Sequence, residues 1–202
     1  MNPRLAHFDA LAARWESIRS SEQAAEAVER GLALVEPLSG AAVADVGCGT
    51  GAVLGPLLRR LGPGGRVLAL DISPRMLEIA RARHPDPRIE WRAGDALEVP
   101  PERGSLDAVL CFDAIPHFPD PKSAVKAMAA WLAPGGRLLV WHDVGRKRLA
   151  AIHRNAGPPL DADLLPPVEE LAGPAAAAGL EVRLAVEDEG SFTFLARRPA
   201  GG

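Results

Sequence analysis

A glycine-rich stretch in the first quarter of the chain has the composition of a loop that binds the polar part of a nucleotide-like ligand. Residues 43–46 are apolar or small apart from one aspartate, which is typical of a short buried strand. Three alternating glycines follow: Gly47, Gly49 and Gly51. Glycine permits a sharp turn and the close approach of a ligand because it has no Cβ. A helix predicted to begin near Ala52 adds free N–H groups and a partial positive charge. This pattern predicts a cofactor-binding loop.

Side chains that can handle a proton lie much later in the chain. Three histidines stand at or close behind the ends of the fourth and fifth predicted strands: His117, His142 and His153. A histidine there can take a proton, orient an acceptor or bind a metal. We favour His117 and His142, which follow adjacent strands, and then His153, Asp113 and Asp143. A three-histidine metal site is a weaker alternative, and purely structural roles stay open for each histidine.

The elements that must position these residues follow an alternating pattern of strands and helices. Strands are predicted at residues 43–46, 66–71, 89–93, 106–112 and 137–142, with helices at 52–61, from Pro74 and at 123–132. Strands joined through helices form a mainly parallel sheet with helices on both faces. Further helices are predicted at 145–155 and 168–178, and a closing hairpin at 180–186 and 192–197. The expected fold class is α/β: a single doubly wound, mainly parallel seven-stranded sheet whose last strand is antiparallel.

The chain is expected to form one domain over residues 1–202. Its parts are an N-terminal helical extension (1–38), a cofactor-binding core (41–142), acceptor-side helices with a Pro-rich loop (143–179) and a terminal hairpin (180–198). The extension reads as two helices, the second capped by Ser20 or Ser21. Its aromatic stripe, Phe8 and Trp15, fits either core packing or a lid over the cofactor.

Composition narrows the class of protein. The chain has 202 residues, 48% of them hydrophobic, and a formal net charge of −3, so no nucleic-acid surface is expected. No apolar run approaches the roughly 20 residues of a membrane span, and no membrane partner is expected. The two cysteines, Cys48 and Cys111, suggest a reducing compartment and a cytoplasmic enzyme. The oligomeric state stays open.

Several segments together resemble the class I S-adenosylmethionine-dependent methyltransferases. The resemblance rests on the glycine stretch, the acid that ends the second strand, a Gly-Asp-Ala turn, the fourth strand and a Pro-Gly-Gly turn before the fifth: residues 43–51, 67–73, 94–96, 105–118 and 132–140. It covers residues 40–145 by motif and the remainder by the order of the elements. It implies a Rossmann-like fold, S-adenosylmethionine as cofactor and a small-molecule acceptor.

The resemblance also assigns roles to residues. Gly47, Gly49 and Gly51 let the backbone approach the methionine part of the cofactor, and Asp45 helps to orient that part. Asp71 accepts hydrogen bonds from both ribose hydroxyls, and Ile72 packs on the adenine. Asp95 accepts from the adenine amino group and Ala96 supplies a backbone N–H. The remaining implied cofactor contact is Phe112.

Other functions compete with this one. Gly47, Gly49 and Ala52 also satisfy the nicotinamide-dehydrogenase pattern, with Asp71 at a suitable distance for a ribose. The third glycine, Gly51, suits the methyltransferase loop better, and the motif follows a helical extension. A non-catalytic protein that binds S-adenosylmethionine or S-adenosylhomocysteine on the same scaffold is the alternative from another class. A protein-methylating enzyme comes third.

Overall fold

The computed structural model of the protein describes residues 2–19 and 21–201. Within them one sheet is built from β1 Ala42–Val46, β2 Arg66–Asp71, β3 Ile89–Ala93, β4 Leu106–Phe112, β5 Leu132–His142, β6 Glu181–Glu187 and β7 Phe192–Arg197. Its strand order is β3-β2-β1-β4-β5-β7-β6. Strands β1 to β5 run parallel, and β7 is antiparallel to both β5 and β6. The predicted seven-stranded, mainly parallel sheet with an antiparallel last strand is confirmed.

Helices connect and cover the strands. They are α1 Pro3–Leu11, α2 Trp15–Arg19, α3 Glu22–Leu34, α4 Leu54–Leu61, α5 Pro74–Arg83, α6 Pro121–Trp131, α7 Arg146–Ala156 and α8 Ala172–Ala177. Local sequence explains where several begin. The Ser73 side chain accepts from the Met76 N–H and caps α5, whose first residue is a proline. Ser21 caps α3 in the same way. Ser20, the other predicted cap, lies outside the described residues.

The alternation of side chains along β1 builds a core on each face of the sheet. Ala44 and Val46 pack in one cluster with Met128 of α6. Val43 points to the opposite face and packs in a second cluster with Leu57 of α4. Burial on both faces explains why β1 is a continuous run of small or apolar residues apart from its one aspartate.

The strand order reverses at β1, which lies between β2 and β4. The chain leaves β1 towards β2 and later returns to its other side, so the connections diverge and open a crevice at the carboxyl ends of the strands. Asp71 ends β2 and Phe112 ends β4, on either side of the glycine turn after β1. The fold therefore brings the sequence-predicted site residues to one edge of the sheet.

Several boundaries differ from expectation. The first of the two helices predicted for the N-terminal extension is divided into α1 and α2 by a 3₁₀ turn at Ala12–Arg14, and α4 begins at Leu54 rather than near Ala52. Helix α6 begins at Pro121 rather than at residue 123, because Asp120 caps it by accepting from the Lys122 and Ser123 N–H groups. Strand β5 begins at Leu132 rather than 137, with a register shift against β4. The predicted helix 168–178 is a 3₁₀ turn at Val168–Leu171 followed by α8. No helix in the described part of the chain is long and apolar enough to span a membrane.

Candidate active site

A cavity of about 580 Å³ opens at the carboxyl ends of β1, β2 and β4. Its volume lies in the ordinary range for small-molecule sites. The glycine loop and Asp71 form part of the wall, and residues after β4 form another part. Helices α1, α2 and α3 supply side chains that cover it, among them Phe8, Trp15 and Val28. The cavity thus joins the glycine loop to the N-terminal helices.

The glycine loop depends on backbone conformations that favour glycine. Gly47, Gly49 and Gly51 have φ values of +70°, +53° and +89°. A Cβ on Gly47 would lie 2.4 Å from the Ala114 Cβ, so this glycine lets the loop after β4 pack against the turn. Gly49 lines the cavity, and its N–H donates to Asp71.

Gly51 is not among the residues that line the cavity, and a Cβ there would lie 2.8 Å from the His84 Cδ2. The absence of a Cβ therefore lets the turn pack against the end of α5. The expected approach of the cofactor to Gly51 stays a prediction.

Asp71 stands in the wall with its carboxylate fixed by two backbone donors. The Gly49 N–H donates to Oδ2 and the Ser73 N–H to Oδ1, each over 2.8 Å. Burial raises the pKa of Asp71 to about 6, although the two backbone donors act in the opposite direction. Each oxygen retains a further lone pair, so a ligand's hydroxyl groups can still donate to this carboxylate.

Asp45 is not among the residues that line the cavity, and its expected role in orienting the methionine part of the cofactor stays a prediction. Its exposed fraction is 1%, and its Oδ2 has no hydrogen-bond partner among the described residues. Burial, together with the nearby charge of Asp71, raises the pKa of Asp45 to about 7. Any influence of this carboxyl on a ligand is exerted through its charge.

The raised pKa of Asp45 is expected to make the free energy of unfolding depend on pH. Because its pKa is raised above the unfolded value, the folded state binds the extra proton, and stability is lost as pH rises from about 4 through about 7. Asp45→Asn removes this titration. We expect the free energy of unfolding of the wild type, measured in urea, to fall relative to the variant by about 1–3 kcal/mol between pH 4.5 and 7.5. Parallel curves for the two proteins would contradict the assignment.

The other predicted cofactor residues also line the cavity. Ile72 follows β2, Asp95 and Ala96 follow β3, and Phe112 is the last residue of β4. The Asp95 Oδ1 accepts from the Leu97 N–H at 2.9 Å, which holds its carboxylate at the end of β3. Ile72 packs against the small cluster that contains Phe8 and Met76. This wall therefore combines carboxylates with apolar surface, which suits a nucleoside with hydroxyl and amino groups.

Several polar links hold helices α1 and α2 against the rest of the domain, among them an ion pair between Arg83 of α5 and Glu16 of α2. The Ser73 hydroxyl donates to Asp9 of α1. The Thr50 hydroxyl donates to Glu16 of α2. Arg4 of α1 forms an ion pair with the buried carboxylate of Asp163, in the Pro-rich segment. The side chains of Phe8 and Trp15 meet edge to face between these links, with ring centroids 5.8 Å apart.

His117 lines the cavity after β4. Its Nδ1 lies 2.8 Å from the Asp163 Oδ2, and its ring meets Phe8 edge to face at 5.0 Å. Burial lowers the pKa of His117, and nearby His153 acts in the same direction, while the bond to Asp163 opposes them. The net lowering favours the neutral imidazole at pH 7. A neutral imidazole at the wall of a cavity can accept a proton.

Asp113 also lines the cavity and has a φ of +53°, a conformation uncommon for residues other than glycine. Its Oδ1 lies 3.0 Å from the His142 Nδ1 and 3.2 Å from the backbone N of Asp143, which donates to it. Asp113 thus connects the ends of β4 and β5 directly beside the cavity.

His142 and His153 are not among the residues that line the cavity, so their expected roles at the acceptor site stay predictions. His142 is buried against Phe192 of β7, and although its Nδ1 is within ion-pair distance of Asp113, neither ring nitrogen makes a well-aligned hydrogen bond within the described residues. His153 is buried in α7, and its Nδ1 donates to the Asp163 carbonyl oxygen at 2.6 Å. Over residues 2–19 and 21–201, no three His, Cys, Asp or Glu side chains converge as metal ligands would. The geometry gives the three-histidine metal alternative no support.

Sequence reasoning missed several polar residues at this site, among them Arg4, Glu16 and Asp163. Arg4 and Glu16 line the cavity, and Asp163 lies behind His117. None of these three belongs to the glycine motif or follows a sheet strand. The one signal for Asp163 is that it is one of two acids, with Asp161, in an otherwise apolar, Pro-rich segment.

Comparison with known proteins shows that this chain is similar to methyltransferases. Residues 43–136 match a family model described as a methyltransferase domain. The chain is 35% identical over 141 residues to a ubiquinone biosynthesis O-methyltransferase of Xanthomonas axonopodis pv. citri, a match that covers 66% of this chain and 57% of that enzyme. The chain therefore spans little more than half the length of this relative.

Solved structures share the fold. A chain of the complex between the Haloferax volcanii Trm112 methyltransferase activator and a methyltransferase has a TM-score of 0.78 and 21% identity, covering 95% of this chain and 97% of that one. A SAM-dependent methyltransferase of Aquifex aeolicus has a TM-score of 0.72 and 19% identity, covering 92% of this chain and 97% of that one. These likenesses show a common architecture.

Proposed function

We propose that this chain is a class I S-adenosylmethionine-dependent methyltransferase and that it transfers the methyl group of that cofactor to a small-molecule acceptor. The observation that carries the proposal is one continuous cavity at the position where the strand order reverses. Asp71 stands on one side of β1, and Asp113 and His117 stand on the other. A cofactor held by the first side would present its methyl group to an acceptor held by the second.

The residues around the glycine loop fit the cofactor. The Asp71 carboxylate would accept from the ribose hydroxyls, and Asp95 and Ile72 would hold the adenine. The methionine part would lie along the loop, above the buried carboxyl of Asp45. The Oδ2 of Asp45 has no hydrogen-bond partner among the described residues, and burial raises the pKa of this carboxyl to about 7. A nearby cation, such as the sulfonium or ammonium group of S-adenosylmethionine, would favour the ionised form of Asp45.

When bound, S-adenosylmethionine supplies an electrophilic methyl group. The task of the protein is then to hold an acceptor in line and to exclude water. His117 would take the proton of a hydroxyl or similar acceptor at the ring nitrogen that faces away from Asp163. Asp113 would orient the acceptor from the same side of the cavity. His142 and His153 would support these two residues from behind.

The acceptor is proposed to be small because the covered part of the cavity is lined by short or flat apolar side chains. Ala24, Ala25 and Val28 of α3 lie there, with Phe118 from the loop after β4. In this view helices α1, α2 and α3 form a lid, and the segment 143–179, none of whose residues lines the cavity, supports the acceptor side through Asp163 behind His117. The relative from Xanthomonas axonopodis pv. citri is named a ubiquinone biosynthesis O-methyltransferase. That name describes methylation of an oxygen atom in a small molecule, which agrees with this choice.

Formation of S-adenosylhomocysteine by the purified chain tests the proposal. We expect release above background when fractionated small metabolites are added with S-adenosylmethionine, and no effect of a chelator. Replacing S-adenosylmethionine with NAD⁺ in the same fractions should give no nicotinamide reduction. Tight cofactor binding without release from any fraction would favour the non-catalytic binding protein instead.

A further inference from the structure

Asp163, a buried residue outside every sequence motif, contacts two of the three candidate histidines, His117 and His153. The Asp163 carboxylate bonds to the His117 Nδ1, and its backbone carbonyl accepts from the His153 Nδ1 at 2.6 Å. The His117 and His153 rings are 5.1 Å apart, so the two imidazoles form a pair around this residue. The side chain of Asp163 has no exposed surface.

Arg4 completes this arrangement from the N-terminal helix. Its Nε lies 3.1 Å from both carboxylate oxygens of Asp163, and its Nη2 pairs with Oδ1. The carboxylate therefore lies between a permanent cation of α1 and the imidazole of His117. Hydrogen bonds from His117 and Arg4 outweigh burial and keep the pKa of Asp163 low. An ionised carboxylate can only accept hydrogen bonds, so the proton between it and His117 resides on Nδ1.

The geometry points to Asp163 as a positioning residue that fixes His117 in its Nδ1–H tautomer, leaving Nε2 as the proton acceptor for the cavity, with Arg4 linking this state to closure of α1. The inference rests on the proposed function, because that function gives His117 its role. A histidine fixed in this way can accept a proton only at the nitrogen that faces the ligand. Arg4 and Phe8 both belong to α1, so the packing of this helix brings Arg4 to Asp163 and the Phe8 ring to His117 together. The same packing therefore covers the cavity and positions His117.

Two variants separate positioning from mere packing. Asp163→Leu keeps the approximate shape of the side chain but removes the acceptor and the negative charge. Arg4→Gln keeps Asp163 and removes the cation from the partly exposed end of the link. Asp161→Asn, on the exposed surface of the same segment, is the matched control. Arg4→Gln keeps the proposal testable if Asp163→Leu does not fold.

The first readout is the His117 ring in the free protein, followed by nitrogen-15 NMR and assigned by comparison with His117→Gln. The charged or titratable groups near this ring are Asp163, Arg4, His142 and His153. We expect the wild type and Asp161→Asn to show an unprotonated Nε2. In Asp163→Leu the Nε2–H form should appear, and the midpoint of the His117 titration should fall by about one pH unit. In Arg4→Gln the midpoint should rise, because a nearby positive charge is lost.

Opposite movements of the two midpoints support the inference, since a loss of packing alone would not produce them. Shifts in the same direction, or an Nε2–H tautomer in the wild type, would overturn it. The second readout is turnover with whichever acceptor fraction the wild type uses. Asp163→Leu should lower turnover about 10- to 100-fold with little change in the KM for S-adenosylmethionine. Wild-type turnover in folded Asp163→Leu would overturn the inference.

The NMR result does not depend on an acceptor. If NMR gives the expected tautomer and midpoints but no fraction supports methyl transfer, the placement of His117 is supported. Only the proposed function is then contradicted. Methyl transfer that is insensitive to Asp163→Leu would leave the proposed function standing and remove the positioning role.

Discussion

Replacing Asp71 with alanine is expected to weaken binding of S-adenosylmethionine and S-adenosylhomocysteine by about 10- to 100-fold, because hydrogen bonds to a charged acceptor contribute about 1.5–3 kcal/mol. The carboxylate is buried in the cavity wall and held by the Gly49 and Ser73 N–H groups. The variant therefore loses the ribose acceptor and also a support of the glycine loop. Isothermal titration calorimetry with S-adenosylhomocysteine measures the loss directly.

The matched control is Glu98→Ala, which removes an exposed acid near the neighbouring Asp95 without touching the cavity. Its affinity should equal that of the wild type. Thermal unfolding of both variants establishes that they are folded. Wild-type affinity in folded Asp71→Ala would remove Asp71 from the proposed cofactor site.

Replacing His117 with glutamine should have the largest effect on turnover. General-base catalysis contributes about 100- to 10,000-fold to rate, and we expect a loss within this range in kcat. Affinity for S-adenosylhomocysteine should stay close to that of the wild type, because the proposed cofactor contacts lie across β1. The measurement is S-adenosylhomocysteine formation with an acceptor fraction that the wild type uses.

His142→Gln provides the comparison, since this histidine is buried behind Asp113 and does not line the cavity. Its loss of turnover in folded protein should be clearly smaller than that of His117→Gln. A larger loss of turnover in folded His142→Gln than in His117→Gln would contradict the assignment of His117 as the proton acceptor.

Local signals were sufficient to predict most of the fold. The strands at residues 66–71, 89–93, 106–112 and 192–197 have the predicted bounds, because each apolar run is flanked by turn or capping residues. Parallel strands have their carboxyl ends at the same edge of the sheet, so the pattern also places the glycine loop, Asp71 and the residues after β4 at one edge. The order of the strands around β1 comes from the structure and was not predicted from the sequence.

Contacts between distant parts of the chain were not predictable in this way. Asp163 is 46 residues from His117 and 159 from Arg4, and no local periodicity links these positions. The packing of Gly51 against His84 at the end of α5 was not predicted either. His142 ends a strand as expected, but the pairing of β5 with β7 places it against Phe192 and away from the cavity.

The most direct test of the central claim follows the methyl group itself. Purified chain is incubated with methyl-labelled S-adenosylmethionine and a cell extract separated into small-molecule, protein and nucleic-acid fractions. The account predicts label in the small-molecule fraction, dependent on enzyme and lost in His117→Gln. Label that enters only the protein or nucleic-acid fraction, or none at all despite tight binding of S-adenosylhomocysteine, would contradict it.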